Sequence, residues 1–196
     1  MAGDIIGLLD ELEIDSVHYM GHSMGGIIGY EILRSHPECL KSLAVCGSPA
    51  EINIPGWIAK AGTYPLGFLP EKVMNAGAKK LMPLFSSRTK ETQRFLSREI
   101  FPFINWEATR HCLNNLANFS YLDVLKKTDK PLLYMHGEDD IHNVNMKSTL
   151  KLIKERTDFT YKLIKGAGHN ANLDRPDEFV VTLEEFLSKI ETKSKK

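Results

Sequence analysis

VHYMGHSMGGIIG, residues 17–29, is the stretch of sequence that decides the fold. A short β-prone run from Val17 to Met20 is followed by Gly-His-Ser-Met-Gly and then by a helical pattern. A serine in the pattern G-x-S-x-G, on a sharp turn between a strand and a helix, is typical of an exposed nucleophile. The pattern is weak by itself, but this setting makes Ser23 the candidate nucleophile.

The residues beside Ser23 carry further expectations. A turn this sharp brings its flanking positions against neighbouring backbone, so a Cβ at Gly21 or Gly25 is expected to clash. The N–H of Met24 lies at the start of the following helix, whose positive dipole end makes it the expected donor to a developing oxyanion. His22 is a second candidate for the oxyanion or substrate side of the site, with its ring pointing away from the serine hydroxyl.

Two later strand ends supply an acid and a base for Ser23. After the apolar run PLLYM comes HGEDD, which ends in Asp139 and Asp140, and after FTYKLI comes a glycine-rich loop with His169. All strands of a parallel sheet end at one edge, so these side chains are expected to converge. A serine is a poor nucleophile without such a base, and the base needs a third group to orient it.

Short apolar runs alternate with helical patterns through most of the chain. This alternation predicts an α/β fold, in which a reduced parallel sheet of about four strands carries helices on both faces. The expected strands lie at residues 17–20, 40–46, 131–135 and 159–164, and the expected helices at 4–12, 26–33, 146–156 and 176–190.

Residues 50–128 break the alternation. They carry both tryptophans, six of the nine phenylalanines, helical patches near 71–81 and 106–116, and no clear strand. We therefore expect a core formed by residues 1–49 and 129–196, with a helical cap inserted at 50–128.

Three segments together resemble the lidded α/β-hydrolases, a family of esterases, lipases and carbon–carbon bond hydrolases. DIIGLLDELEIDSVHYMGHSMGG is similar to that family's helix, strand and nucleophile turn, and KGAGHNANLDRPDEF to its histidine loop. PLLYMHGEDD resembles the acid-bearing strand end, whose G-x-x-D pattern falls on Gly137 and Asp140. The resemblance implies a triad of Ser23, Asp140 and His169, with Asp140 rather than Asp139 as the acid. A serine at position 23 argues against the dehalogenase and epoxide hydrolase branches, which use aspartate there.

The start of the chain departs from that family. Its members have several strands before the first helix seen here, and a loop among those strands gives a second oxyanion donor. We therefore expect a truncated form of the fold, and losing one oxyanion donor costs about 10²–10³ in rate. The strand at 17–20 becomes a sheet edge, which predicts a homodimer or another homo-oligomer.

Bulk properties exclude several classes of function. Twenty-five Lys and Arg balance 25 Asp and Glu, so net charge favours neither nucleic acid nor an anionic membrane as a partner. No apolar stretch reaches the length of a membrane span, and the first residues lack the basic run of a signal peptide. The cysteines at 39, 46 and 112 form no pattern, which predicts reduced thiols in a cytoplasmic protein.

The expected activity is hydrolysis of a small-molecule carboxylic ester or related acyl bond, without a cofactor. Asp139, Asp140 and His142 resemble a metal cluster, but a zinc or hard-ion site needs more converging ligands, so no metal is predicted. Two alternatives remain open at this point. One is a non-catalytic hydrolase scaffold that acts through self-association or a partner, and the other is carbon–carbon bond hydrolysis or perhydrolysis on the same fold.

Overall fold

The architecture is a four-stranded parallel sheet with helices on both faces. A computed structural model describes residues 1–54, 70–116 and 118–194; Trp57 and Phe68 of the expected cap lie outside the described residues. The strands of the sheet follow the order β1-β2-β5-β6 and are parallel throughout. Their bounds are β1 Val17–His22, β2 Leu40–Cys46, β5 Leu132–Gly137 and β6 Thr160–Ile164. The expected α/β fold is confirmed.

Four of the six described helices that flank the sheet lie close to the predicted positions. The six are α1 Ala2–Glu11, α2 Met24–Ser35, α6 Leu122–Lys127, α7 Lys147–Glu155, α8 Ala171–Asp174 and α9 Pro176–Ser194. Two of them, α6 and α8, were not predicted. Across the described ranges, no helix combines the length and the apolar character that a bilayer span requires.

The sheet is covered on both faces because successive side chains of a strand point in opposite directions. In β2, Leu43 and Val45 belong to one buried cluster, whereas Ala44 and Cys46 belong to a second. Helices α2, α6 and α7 close the first cluster, and α9 closes the second through Phe179 and Phe186. Burial on both sides explains why these strands appear in the sequence as continuous apolar runs.

The segment between β2 and β5 contains two strands, so the expectation of none there is wrong. β3 Glu51–Asn53 pairs antiparallel with β4 Asn118–Ser120, and the N–H of Tyr121 donates to the carbonyl of Ala50. Three-residue strands are too short to give a recognisable alternation, and backbone pairing rather than side-chain pattern defines them. This ladder joins the two ends of the inserted segment where it leaves and re-enters the sheet region.

The rest of the described insertion is helical. It contains α3 Glu71–Ser86, α4 Lys90–Phe95, a π-helical turn Leu96–Ile100, a 3₁₀ turn Phe101–Phe103 and α5 Trp106–Asn115. A small separate cluster of Ala78, Leu96 and Phe101 holds these elements together. The helical character of the insertion therefore agrees with the sequence, and its division into domains stays a prediction.

Candidate active site

Ser23 occupies a strained backbone position between β1 and α2. Its φ is 53° and its ψ is −120°, a conformation that residues with a side chain rarely adopt. The N–H of Ser23 donates to the carbonyl of Cys46 at 2.9 Å, which fixes the turn to the end of β2. Such strain costs about 1–3 kcal/mol and persists where the surrounding structure enforces it, often at a functional site.

The sequence predicts that a Cβ clashes at both Gly21 and Gly25, and close backbone packing confirms this for Gly21. A Cβ at Gly21 would lie 2.4 Å from the carbonyl carbon and oxygen of Gly25, so only glycine fits at position 21. The same expectation for Gly25 is wrong, because a Cβ there meets no described atom within 4 Å. The tight position is one residue later, since a Cβ at Gly26 would lie 2.1 Å from Oγ of Ser48. At that residue the helix packs directly against Ser48, two positions after the end of β2.

The side chains of Ser23, His169 and Asp140 form a continuous chain of hydrogen bonds. Nε2 of His169 lies 2.9 Å from Oγ of Ser23, and Nδ1 of His169 lies 2.9 Å from Oδ2 of Asp140. The three residues follow β1, β6 and β5, whose carboxyl ends share one edge of the sheet. The structure thus brings together the serine, the base and the acid that the sequence predicts.

Asp140, and not Asp139, lies against the imidazole of His169. The Asp140 side chain is fully buried, and its other oxygen, Oδ1, accepts the backbone N–H of His142 at 2.9 Å. Burial alone would raise the pKa of Asp140, but the hydrogen bond from His169 and the His142 N–H outweigh it and hold the pKa below 3.8. Asp139 lies about half exposed, 3.4 Å from the guanidinium of Arg88. Asp140 is therefore an anion at neutral pH, held against the imidazole.

Two further imidazoles pack against the ring of His169. His22 lies on one side, with 4.9 Å between ring centroids, and His142 contacts the ring edge-on at 4.7 Å. Burial lowers the pKa of both His22 and His142 below 6.5, which favours uncharged neighbours for His169.

His22 makes a contact with the His169 loop that the sequence does not indicate. Its Nε2 donates to the backbone carbonyl of His169 at 2.8 Å, so that donor is not available to a substrate oxyanion. The sequence could not reveal this contact, because it joins residues 147 positions apart. Met24 is the first residue of α2, as expected, and N–H groups in the first turn of a helix have no acceptor within that helix.

One group of possible metal ligands lies at the same place. Asp140, His142 and His169 bring one ligand atom each within 4.8 Å of one another. Both the Asp140 carboxylate and the His169 ring are already joined to each other and to neighbouring donors. Asp139, which the sequence suggested for such a cluster, pairs with Arg88 instead. The arrangement fits proton transfer between serine and histidine, and the absence of a metal stays a prediction.

Sequence reasoning missed two residues that support this site. Gly47 follows β2 with a φ of 60°, and a Cβ there would lie 3.2 Å from both Oδ2 of Asp140 and Nδ1 of His169. The Gly-Ser-Pro that closes β2 was the available signal. The second is Asp174, a buried carboxylate five residues after His169, which binds Gly168 and also residues 87–89, more than 80 positions earlier. No spacing rule points to such a contact.

A parallel sheet with a strained serine turn, a buried aspartate and a histidine at its carboxyl edge defines the class of α/β-hydrolases. The comparisons with known proteins agree. The family model for the alpha/beta hydrolase fold matches residues 1–176, and this chain belongs to that family.

Its relatives are distant hydrolases. RutD of Pseudomonas syringae, named for carbamate hydrolysis, is 26% identical over 193 residues, which cover 96% of this chain and 74% of RutD. The 3-oxoadipate enol-lactonase 2 of Acinetobacter baylyi is 25% identical over 177 residues, 90% of this chain and 65% of the relative. The crystal structure of the Burkholderia xenovorans enol-lactonase superposes with a TM-score of 0.79 at 22% identity, and the match covers 95% of this chain and 71% of that one.

Proposed function

We propose that this chain is a serine hydrolase that cleaves a carboxylic ester or a related acyl bond of a small molecule. The observation that carries the proposal is the hydrogen-bond chain from Ser23 through His169 to Asp140, with 2.9 Å at each step. The strained backbone of Ser23 supports it, because a turn of this shape exposes the hydroxyl at the end of the sheet.

The chemistry follows from the positions of the three groups. Oγ of Ser23 attacks the acyl carbon while Nε2 of His169 takes the hydroxyl proton, and Asp140 stabilises the imidazolium. His169 then gives the proton to the departing alcohol, which leaves an acyl group on Ser23. In the second half, His169 removes a proton from water, and the resulting hydroxide attacks the acyl carbon. The bond between that carbon and Oγ of Ser23 then breaks, His169 returns its proton to Oγ, and the acid leaves.

The tetrahedral intermediates need a donor for their oxyanion. We assign this role to the N–H of Met24, because it directly follows the nucleophile and lies at the positive end of α2. His22 has no part in this donor set, since its Nε2 is bonded to the carbonyl of His169.

The names of the relatives favour a substrate in which an acyl bond is cleaved. They refer to a carbamate, an enol-lactone and, in an Aeromonas hydrophila protein 24% identical to this chain, a methyl ester. In each compound a carbonyl carbon bears an oxygen or nitrogen leaving group. These names support ester-type hydrolysis here more than carbon–carbon bond cleavage or perhydrolysis.

Three further features belong to the proposal. Residues 50–128 form an insertion whose helices α3 to α5 act as a cap, because the ends of the insertion meet in the β3–β4 ladder; α6, in the same range, packs against the sheet. The chain works as a homodimer, because β1 pairs only with β2 among the described strands. In addition, Leu8 of α1 and Leu12, the residue that follows α1, are each 56% exposed. It works in the cytoplasm, in keeping with three free cysteines.

Hydrolysis of short-chain 4-nitrophenyl esters by the purified chain tests the proposal. We expect turnover by the wild type and none by Ser23→Ala. Ser35→Ala is the matched control, because Ser35 is an exposed serine at the far end of the same helix and should retain full activity. Equal activity in Ser23→Ala would refute the proposal, and an inactive, folded wild type would favour a non-catalytic scaffold.

A further inference from the structure

The turn between α3 and α4, residues 86–89, contacts both loops that carry the proposed acid and base. We call it the 86–89 turn. The backbone N–H and the side-chain amide of Asn170 both donate to the carbonyl of Ser86, at 2.9 and 3.1 Å. On the other loop, Nη2 of Arg88 donates to the carbonyl of Asp139 at 3.0 Å. The turn therefore touches the neighbour of His169 and the neighbour of Asp140.

One buried carboxylate, that of Asp174, strengthens the first of these contacts. Asp174 is only 4% exposed. Its oxygens accept from Oγ of Ser87, from the N–H of Arg88 at 2.8 Å, and from the N–H and Oγ1 of Thr89 at 3.2 Å each. They also accept the N–H of Gly168 at 2.8 Å. A single side chain thus joins the 86–89 turn to the residue before His169.

The Asp174 carboxylate is ionised, so the hydrogen bonds that it accepts are made to a charged group. Burial would raise the pKa of Asp174, but the hydroxyl of Ser87 and the backbone N–H groups of Gly168, Arg88 and Thr89 outweigh it and hold the pKa below 3.8. Hydrogen bonds to an ionised acceptor are about twice as strong as those between neutral groups. Asp174 is therefore an anion at neutral pH, and its contacts are among the strongest near the site.

A simple helix-capping role does not account for these contacts. Asp174 ends the short helix α8 and lies two positions before Pro176, the first residue of α9, close to the position where an acidic side chain commonly caps a helix. The donors found are in the 86–89 turn and at Gly168, and none of those described comes from the first turn of α9. The carboxylate is used to join separate segments of the chain.

Both residues next to His169 in the chain are hydrogen-bonded to groups that connect them to the 86–89 turn. Gly168 is held through Asp174, and Asn170 is held directly by Ser86. Packing is close as well, because a Cβ at Gly168 would lie 3.0 Å from the carbonyl oxygen of Ser86. The loop that carries His169 therefore has little freedom to move its ring away from Oγ of Ser23.

We propose that Asp174 is a positioning residue, which holds His169 within hydrogen-bonding distance of Ser23 by fastening the His169 loop to the 86–89 turn. The proposal rests on the proposed function. It also couples the inserted helical segment to the base, because a displacement of that turn displaces both neighbours of His169.

Asp174→Asn is the main test, because asparagine has the same shape but presents an N–H₂ group to N–H donors. Ser87→Ala removes one donor and leaves the carboxylate in place, so it serves if Asp174→Asn does not fold. Arg88→Met is the matched control on the same turn, because it removes an exposed contact with Asp139 while keeping the Arg88 backbone N–H that binds Asp174.

We expect kcat to fall by about 10²-fold in Asp174→Asn with KM little changed, since a displacement of about 1 Å can have that effect. Ser87→Ala should show a smaller loss, and Arg88→Met nearly none. The rate constant for labelling by a fluorophosphonate probe should fall in parallel, while the fraction of protein finally labelled stays complete. Loss of fold would instead reduce that fraction and leave the rate constant of the remaining protein normal.

A signal that does not depend on turnover separates this proposal from the proposed function. The proton on Nδ1 of His169, bonded to Asp140, should give a far-downfield NMR resonance in the wild type that is lost or broadened in Asp174→Asn. A wild type that hydrolyses no ester but shows the resonance, together with loss of the resonance in Asp174→Asn, would refute the proposed function and still support the positioning role. Wild-type kcat, labelling rate and resonance in folded Asp174→Asn, or in Ser87→Ala if only that variant folds, would overturn it.

Discussion

Oδ2 of Asp140 lies 2.9 Å from Nδ1 of His169, and the Asp140 side chain has no exposed surface. The adjacent carboxylate, Asp139, is about half exposed and pairs with Arg88. Two neighbouring aspartates therefore have opposite environments, and only one of them can orient the base.

This contrast predicts different effects of the same substitution at the two positions. Asp140→Asn should lower kcat by about 10⁴-fold, because the amide stabilises the wrong histidine tautomer. Asp139→Asn should change kcat little, since an exposed ion pair contributes about 0–1 kcal/mol. Steady-state kinetics of both variants on one nitrophenyl ester provide the comparison. A larger loss in Asp139→Asn would mean that the acid has been assigned to the wrong residue.

The strained backbone of Ser23 predicts an effect on stability. Both Ser23→Ala and Ser23→Gly remove the hydroxyl, but only glycine adopts a φ of 53° and a ψ of −120° without strain. We expect Ser23→Gly to unfold at higher urea concentration than Ser23→Ala, by about 1 kcal/mol in free energy of unfolding after the entropy cost of glycine. Equal stability of the two variants would show that the turn stores no strain.

The sequence was sufficient for the sheet and for the proposed triad because both depend on local patterns. The strands were apolar runs, and Ser23, Asp140 and His169 each followed one of them, so parallel topology alone brought them to one edge. The β3–β4 ladder was missed because three-residue strands have no periodicity. The contacts of His22 with His169, and of Asp174 with the 86–89 turn, were missed because they join residues far apart in the chain.

Stability should fall as the pH drops below about 6.5. Burial holds the pKa values of His22, His136 and His142 below 6.5, so in this range the unfolded chain binds more protons than the folded one. Each histidine then adds at most about 1.4 kcal/mol per pH unit to the slope of the free energy of unfolding against pH. The pKa values of Asp140 and Asp174 lie below 3.8, so these groups titrate outside this window.

Urea unfolding at pH 7.5, 6.5 and 5.5 measures this slope. His136→Gln should flatten this slope, because His136 is buried and its Nδ1 has no hydrogen-bond partner among the described residues, whereas glutamine does not titrate. An unchanged slope in that variant would contradict the assignment of His136 as a buried neutral group.

Self-association is expected from the open edge of β1 and from the exposed leucines at positions 8 and 12, in α1 and directly after it. Light scattering at micromolar concentration should give the mass of a dimer for the wild type. Leu8→Glu with Leu12→Glu should give a folded monomer, because both side chains are 56% exposed and their replacement costs the single chain little. A monomeric wild type would show that this surface does not bind a second copy.

Covalent labelling with a fluorophosphonate probe tests the central claim most directly, because the probe reacts only with a serine activated by its neighbours. Mass spectrometry of the labelled wild type should find one adduct, on Ser23. Labelling should be absent in Ser23→Ala and much slower in His169→Gln. A folded wild type that is not labelled, or is labelled on another serine, would contradict the assignment of Ser23 as the nucleophile.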